Sequence, residues 1–268
     1  MNAKRSDRIR AERESRIGSA RTDPGGSPAA LRQALSAAYD AQIAGLAGDL
    51  TDAAVVAVGS LGRREVTAYG DIDLLLVHRG RTDIAKAAEQ IWYPLWDAGI
   101  SLDHSVRTVP EAVRMADEDI AVALGLVDAR YLAGDAILAE ELVSRSRAQW
   151  RKDGVHNARR LAAAAAERAE RFGELAFLIE PDLKQARGGL RDGHALRGLA
   201  VAQLCDELTP AAATAYRLLL DVRTALQTGA GRSIDRLVAQ EQPVLASALG
   251  YADADDLLRA VSDAGRTL

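Results

Sequence analysis

Two aspartates separated by a single residue open an apolar run, Asp71 to Val77 (DIDLLLV). Alternate residues of a β-strand point to the same face of a sheet, so the carboxylates of Asp71 and Asp73 are predicted to emerge side by side. Two like charges held together repel each other unless water or a cation screens them. Carboxylate oxygens are ligands that Mg²⁺ prefers, and bound Mg²⁺ also recruits substrate phosphates. The pair therefore predicts a magnesium site that acts on a phosphate-containing substrate; the alternative is a strand end with two solvated acids.

A Gly-Ser pair precedes these acids, and ten residues separate Ser60 from Asp71. Gly59 ends the preceding apolar run, where exposed backbone amides can bind a phosphate and glycine allows close approach. Ser60 adds a hydroxyl donor, and Arg63 or Arg64 adds a cation that would screen a leaving pyrophosphate. We therefore predict that Gly59, Ser60 and Arg63 bind the phosphates of a nucleotide.

A third carboxylate would complete a two-metal site, where it would hold an ion and help to deprotonate the attacking hydroxyl. Asp103 is the candidate, because its alternation with Ser101 and Ser105 places it on the polar face of a predicted strand. Asp128 is the alternative, although it is also compatible with a simple surface acid.

Apolar periodicity predicts the elements that position these residues. Helices are expected at 28–48 and 82–98, and strands at 53–58, 71–77 and 100–107. From Pro110 onward no further strand is predicted, while runs such as 157–172 have strong helix propensity. The fold class is therefore α+β, with a small α/β domain followed by an all-helical bundle.

The predicted domain limits follow from composition. Helix-breaking residues at 22–28 (TDPGGSP) separate an arginine-rich stretch from the first amphipathic helix. We predict a flexible polar arm at 1–27, the α/β domain with the acid pair at 28–135 and the helical domain at 136–268.

Gly59 to Val77 resembles the nucleotidyltransferases of the DNA polymerase β superfamily and, more closely, the GlnD family, the uridylyltransferases of the PII nitrogen-signalling protein. The positions that match the GlnD pattern are Gly59, Gly62, Arg63, Glu65, Asp71, Ile72, Asp73, Leu74 and Leu75. The positions that depart from it are Ser60, Leu61, Arg64, Val66 and Gly70. Similar family segments follow at 93–108, 128–135 and 180–192.

The resemblance implies a Mg²⁺-dependent transfer of UMP from UTP to a tyrosine of a PII protein, with release of pyrophosphate. Some relatives use ATP instead, and nothing in the motif identifies the base. The HD and ACT domains of the family have no counterpart in these 268 residues, and none of the four histidines begins a His-Asp dipeptide. The resemblance therefore implies the N-terminal transferase part alone.

The segment 180–192 (EPDLKQARGGLRD) has two adjacent glycines among charged residues. Composition alone favours a basic turn between helices, with Asp192 as a helix N-cap. The family resemblance instead implies that Lys184 and Arg191 contribute a cationic wall to the nucleotide site.

Composition limits the competing functions. A net charge of -4 disfavours a dedicated nucleic-acid binder. The single cysteine excludes an internal disulfide, and the apolar runs are too short for a signal peptide or a membrane span, so we expect a cytoplasmic protein. Two other hypotheses remain: a transferase acting on a small molecule or tRNA, and a non-catalytic module that senses nucleotide.

Overall fold

The computed structural model of the protein describes residues 2–22 and 26–268. Its described residues form two compact units. The first contains residues up to Ser19, Ala30–Val66 and Gly70–Trp150. The second contains the described residues between Ala20 and Ala29, Thr67–Tyr69 and Arg151–Leu268.

The first unit is built on a mixed sheet. Its strands are β1 (Ala53–Val58), β2 (Ile72–His78), β3 (Leu102–Arg107) and β4 (Arg130–Gly134), in the order β3-β2-β1-β4. β1 is antiparallel to both β2 and β4, whereas β2 and β3 are parallel. β1 and β2 are buried central strands because their side chains are almost all aliphatic.

Seven helices form in the described residues before residue 153. They are α1 (Asn2–Thr22), α2 (Pro28–Ala47), α3 (Gly59–Gly62), α4 (Ile84–Asp97), α5 (Val109–Glu118), α6 (Ile120–Val127) and α7 (Ala136–Lys152). A core cluster joins the sheet to α5, α6 and α7 through residues such as Val56, Leu75, Ala112 and Leu142. The single turn α3 joins β1 to the loop before β2, as the short interval between the predicted strands required.

The second unit is helical in the residues that the structure describes, apart from isolated bridges. Its helices are α8 (Gly154–Phe172), α9 (Leu190–Val201), α10 (Pro210–Ala230), α11 (Gln242–Ala248) and α12 (Ala254–Thr267). Its core includes Leu183, Leu219, Leu237 and Leu257, each fully buried. The prediction of an α+β fold is confirmed.

Three details of the prediction are wrong. The first is the expectation that no strand follows Pro110. The strand β4 does follow it, and it pairs with β1 at the edge of the sheet. Its sequence, RYLAG, has little apolar periodicity because an edge strand is covered by few neighbours, and Tyr131 is exposed.

The second is the polar arm. Asn2–Thr22 is the helix α1, and residues 23–25 lie outside the described part of the chain. Ile9 and Ile17, only 3% and 4% exposed, anchor one face of the helix. Two isoleucines among many charges are too weak a pattern to reveal this from sequence.

The third is the position of the boundary, which falls after Trp150 rather than at residue 135. Leu138 and Leu142 of α7 are buried in the core cluster of the sheet, so this helix belongs to the first unit.

No helix within the described residues has the length and apolar character needed to cross a bilayer.

Candidate active site

The parallel pairing of β2 with β3 positions the predicted acids. Asp73 pairs in register with Asp103, and Asp71 directly precedes β2. Residues in register on neighbouring strands point to the same face, as do residues two apart on one strand. The structure thus brings Asp71, Asp73 and Asp103 to one face of the sheet, where Asp71 and Asp103 are exposed and Asp73 is half-buried.

The acid cluster, Asp71, Asp73 and Asp103, has an electrostatic signature. Burial, together with the negative charges of Asp103 and Asp71, raises the pKa of Asp73 from its ordinary 3.8 to about 6. A hydrogen bond from the backbone amide of Ser60 and the charge of Arg63 oppose this rise in pKa. Ionised Asp73 is therefore held beside like charges, an arrangement that a bound cation would relieve.

The donor set of the acid cluster fits a hard divalent cation, because it offers only carboxylate oxygens near a partly exposed strand end. Among the described residues, no three His, Cys, Asp or Glu side chains are already close enough together to form a metal-binding group. Magnesium binding by Asp71, Asp73 and Asp103 remains a prediction that rests on the raised pKa and on the shared face.

The backbone at Gly59 is shaped around Asp73. Gly59 has a φ of +54°, and a Cβ atom built at this position would lie 2.1 Å from Oδ2 of Asp73. Only glycine combines this conformation with such a close approach. The hydroxyl of Ser60 donates to the backbone carbonyl of Asp71 at 2.9 Å, which ties α3 to the start of β2. Gly59 and Ser60 therefore lie at the acids, and their contact with phosphates remains a prediction.

Arg63 is held by two carboxylates. Its Nε lies 2.6 Å from Glu65, and its Nη1 lies 2.8 Å from Asp128. Asp128, the alternative third carboxylate, is thus an ion-pair partner of Arg63, and Asp103 is the acid that pairs with Asp73. No pattern in the sequence indicates the ion pair between Arg63 and Asp128, because the two residues are far apart along the chain. The proposed contact of Arg63 with phosphate remains a prediction.

Lys184 and Arg191 belong to the second unit. Nζ of Lys184 lies 3.9 Å from Asp235, and the backbone amide of Arg191 donates to the carbonyl of Lys184 at 3.1 Å. Asp192 accepts a hydrogen bond from the amide of Gly188 at 2.7 Å, so it stabilises the turn before α9. A nucleotide-binding role for Lys184 and Arg191 remains a prediction.

Asp40 and Arg130 lie beside α3, and the sequence predicts no role for either residue. The guanidinium of Arg130 contacts the carbonyls that end α3, and Asp40 accepts two hydrogen bonds from it. Arg130 lies in the segment 128–135 that resembles the GlnD family, which is the one signal that marked it.

Comparison with known proteins supports the resemblance. The family model described as "GlnD PII-uridylyltransferase" matches residues 156–209 and 202–264. A bifunctional uridylyltransferase/uridylyl-removing enzyme of Streptomyces coelicolor is 49% identical over 243 residues, which are 88% of this chain and 29% of the relative. Enzymes with the same name match from Mycobacterium tuberculosis (46% identity; 82% of this chain, 28% of the relative) and Corynebacterium glutamicum (38%; 90% and 34%). The chain spans about a third of the length of these relatives.

Proposed function

We propose that this chain, which belongs to the GlnD PII-uridylyltransferase family, transfers a uridylyl group from UTP to a tyrosine hydroxyl of a PII-type protein and releases pyrophosphate. The observation that supports this most directly is the register that places Asp103 beside Asp73, with Asp71 on the same face. The relatives are named for uridylyl transfer, which favours UTP as the donor.

The proposed reaction is a displacement at the α-phosphorus of the nucleotide. The tyrosine oxygen forms a bond to this phosphorus, while the bond to the oxygen that bridges to the β-phosphate breaks, and pyrophosphate leaves with the electron pair. Asp103, which is exposed, would accept the phenolic proton. Mg²⁺, when bound, would neutralise charge on the triphosphate oxygens.

Asp73 and Gly59 have distinct parts in this proposal. With a pKa of about 6, Asp73 is mostly ionised at neutral pH and is able to bind a cation. Gly59 leaves space next to the carboxylate of Asp73, because a side chain at position 59 would collide with Oδ2 of Asp73. Asp71, fixed through its carbonyl by Ser60, would share the cation with Asp73.

The test is incubation of the purified protein with a PII protein, Mg²⁺ and one α-labelled nucleoside triphosphate at a time. We expect PII to gain the mass of UMP with UTP. Labelling with ATP alone would keep the reaction and change the donor. Absence of label with all four nucleotides, together with retained nucleotide binding, would instead support a non-catalytic sensing module.

Two variants separate the acids. Asp73→Asn is expected to abolish labelling, whereas Glu118→Gln, at an exposed position near the end of α5, should leave it unchanged. Asp103→Asn tests the proton acceptor: full activity in this variant would remove Asp103 from the mechanism.

A further inference from the structure

Arg130 makes an unusually complete set of hydrogen bonds for a residue at a sheet edge. Its Nη1 and Nη2 donate to the two carboxylate oxygens of Asp40, each at 2.8 Å. Nη2 also donates to the carbonyl of Leu61 at 2.9 Å, and Nε donates to the carbonyl of Gly62 at 3.3 Å. One guanidinium thus links α2, α3 and β4.

The two carbonyls belong to the last residues of α3. Carbonyls at the end of a helix have no partner within the helix, so a fixed cation there stabilises the turn. A Cβ atom at Gly62 would lie 2.5 Å from the carbonyl oxygen of Asp128, which shows how closely α3 packs on the segment before β4. Arg130 holds α3 against this segment from one side.

A second ion pair runs in the opposite direction. Arg63, which directly follows α3, reaches back to Asp128 at 2.8 Å. The chain from Leu61 to Arg63 and the chain from Asp128 to Arg130 are therefore joined twice. Because α3 begins at Gly59, any shift of this turn would move Gly59 and the Ser60 amide relative to Asp73.

We propose that Arg130, oriented by Asp40, is a positioning residue of the transferase site: it fixes α3 so that Gly59 and Ser60 stay against Asp73. This inference rests on the proposed function. The planar guanidinium is essential to it, because an ammonium group does not reach two carboxylate oxygens and two carbonyls in one plane. Arg64 also lies 3.8 Å from Asp40, but it is exposed and contributes little.

The experiment compares Arg130→Lys, Arg130→Gln and Asp40→Asn with the wild type. We expect kcat per folded molecule to fall roughly 10- to 100-fold in Arg130→Gln and less in Arg130→Lys, since small displacements of reacting groups have effects of this size. KM for the nucleotide should change less than kcat. Arg145→Gln is the matched control, because Arg145 forms an exposed pair with Glu141 in the same unit.

Coupling between the two residues provides a sharper readout. If Asp40 acts through Arg130, adding Asp40→Asn to Arg130→Gln should lower kcat little further. Independent, multiplicative losses would overturn the assignment of Asp40. A loss of activity that only follows the fraction of unfolded protein would overturn the positioning role of Arg130.

Hydrogen exchange distinguishes this inference from the proposed function. Amides of residues 59–65 should exchange faster in Arg130→Gln than in the wild type at equal global stability, and they should not do so in Arg145→Gln. This result is expected even if the wild type transfers no nucleotide to PII, an outcome that would refute the proposed function alone. Unchanged exchange at 59–65 would overturn the positioning role.

Discussion

The acid cluster of the first unit and a polar network of the second unit differ in how their charges are arranged. The network consists of Thr67, Arg223, Gln227 and Asp235. In the acid cluster, like charges gather and the pKa of Asp73 rises to about 6. In the network, Arg223 pairs with Asp235 at 2.6 Å, and Gln227 joins both Asp235 and Thr67, at 3.1 and 2.6 Å. Opposite charges and matched donors satisfy each other there.

The difference supports the proposed cation site in the acid cluster and a structural role for the network. A paired, hydrogen-bonded network has little to gain from an added ion and serves to hold the protein together. A cluster of acids is less stable by itself and gains from a cation. Removal of a carboxylate from the acid cluster should therefore lower activity and leave stability equal or higher. Removal of a carboxylate from the network should lower stability.

The largest effect is expected at Asp73. Asp73→Asn should lower uridylyl transfer on the order of 100-fold or more, because a ligand of the proposed cation is lost. The same change should leave the free energy of unfolding equal or higher, since it removes a repelled charge. Transfer assays and denaturant titrations measure the two quantities. A variant that is both active and destabilised would reverse the roles assigned to the two regions.

In the network, Asp235→Ala should lower the free energy of unfolding by about 3 kcal/mol, because it leaves the largely buried Arg223 without its carboxylate. Denaturant unfolding followed by circular dichroism would measure this. Asp263→Ala is the control: Asp263 forms an exposed pair with Arg266 and should cost less than ~1 kcal/mol. Equal losses would mean that the network is no more important than a surface pair.

The pH dependence of stability in metal-free buffer tests whether the charge of Asp73 destabilises the folded protein. Asp73 loses its proton near pH 6 in the folded protein, against an ordinary value of 3.8. Between these values the folded state binds more protons than the unfolded state, so the free energy of unfolding should fall as pH rises, by about 3 kcal/mol. Asp73→Asn should lack this decrease, and Mg²⁺ should reverse part of it above pH 6. An identical slope in the variant would exclude Asp73 as its cause.

The smallest effects are expected at two glycines of the first unit. Gly59→Ala should cost about 1 to 2 kcal/mol, because φ is +54° and the new methyl group would meet Asp73. Gly45→Ala, within α2 and with nothing within 4 Å, should stabilise by up to ~1 kcal/mol. Thermal unfolding compares them, and a stable, active Gly59→Ala would show that the close approach is dispensable.

The elements nearest the acids were predictable because strong local patterns specify them. The aliphatic runs of β1 and β2 are typical of buried strands. Asp71 directly precedes β2 and Asp73 lies within it, so the two acids have the two-residue spacing of one strand face. The edge strand β4 and the helix α1 were missed, because their burial depends on a few side chains and on neighbours far along the chain.

The α+β class, the candidate acids Asp71 and Asp73 and the resemblance to the GlnD family could all be predicted from the sequence alone. The tertiary structure decided which acid stands beside Asp73, since the parallel register of β2 with β3 selects Asp103 while Arg63 engages Asp128. The contacts of Arg130 likewise exist only in the folded chain, because its partners Asp40 and Leu61 are 90 and 69 residues away. Apolar periodicity depends on residues that are close along the chain, whereas strand register and long-range ion pairs arise only when distant segments pack together.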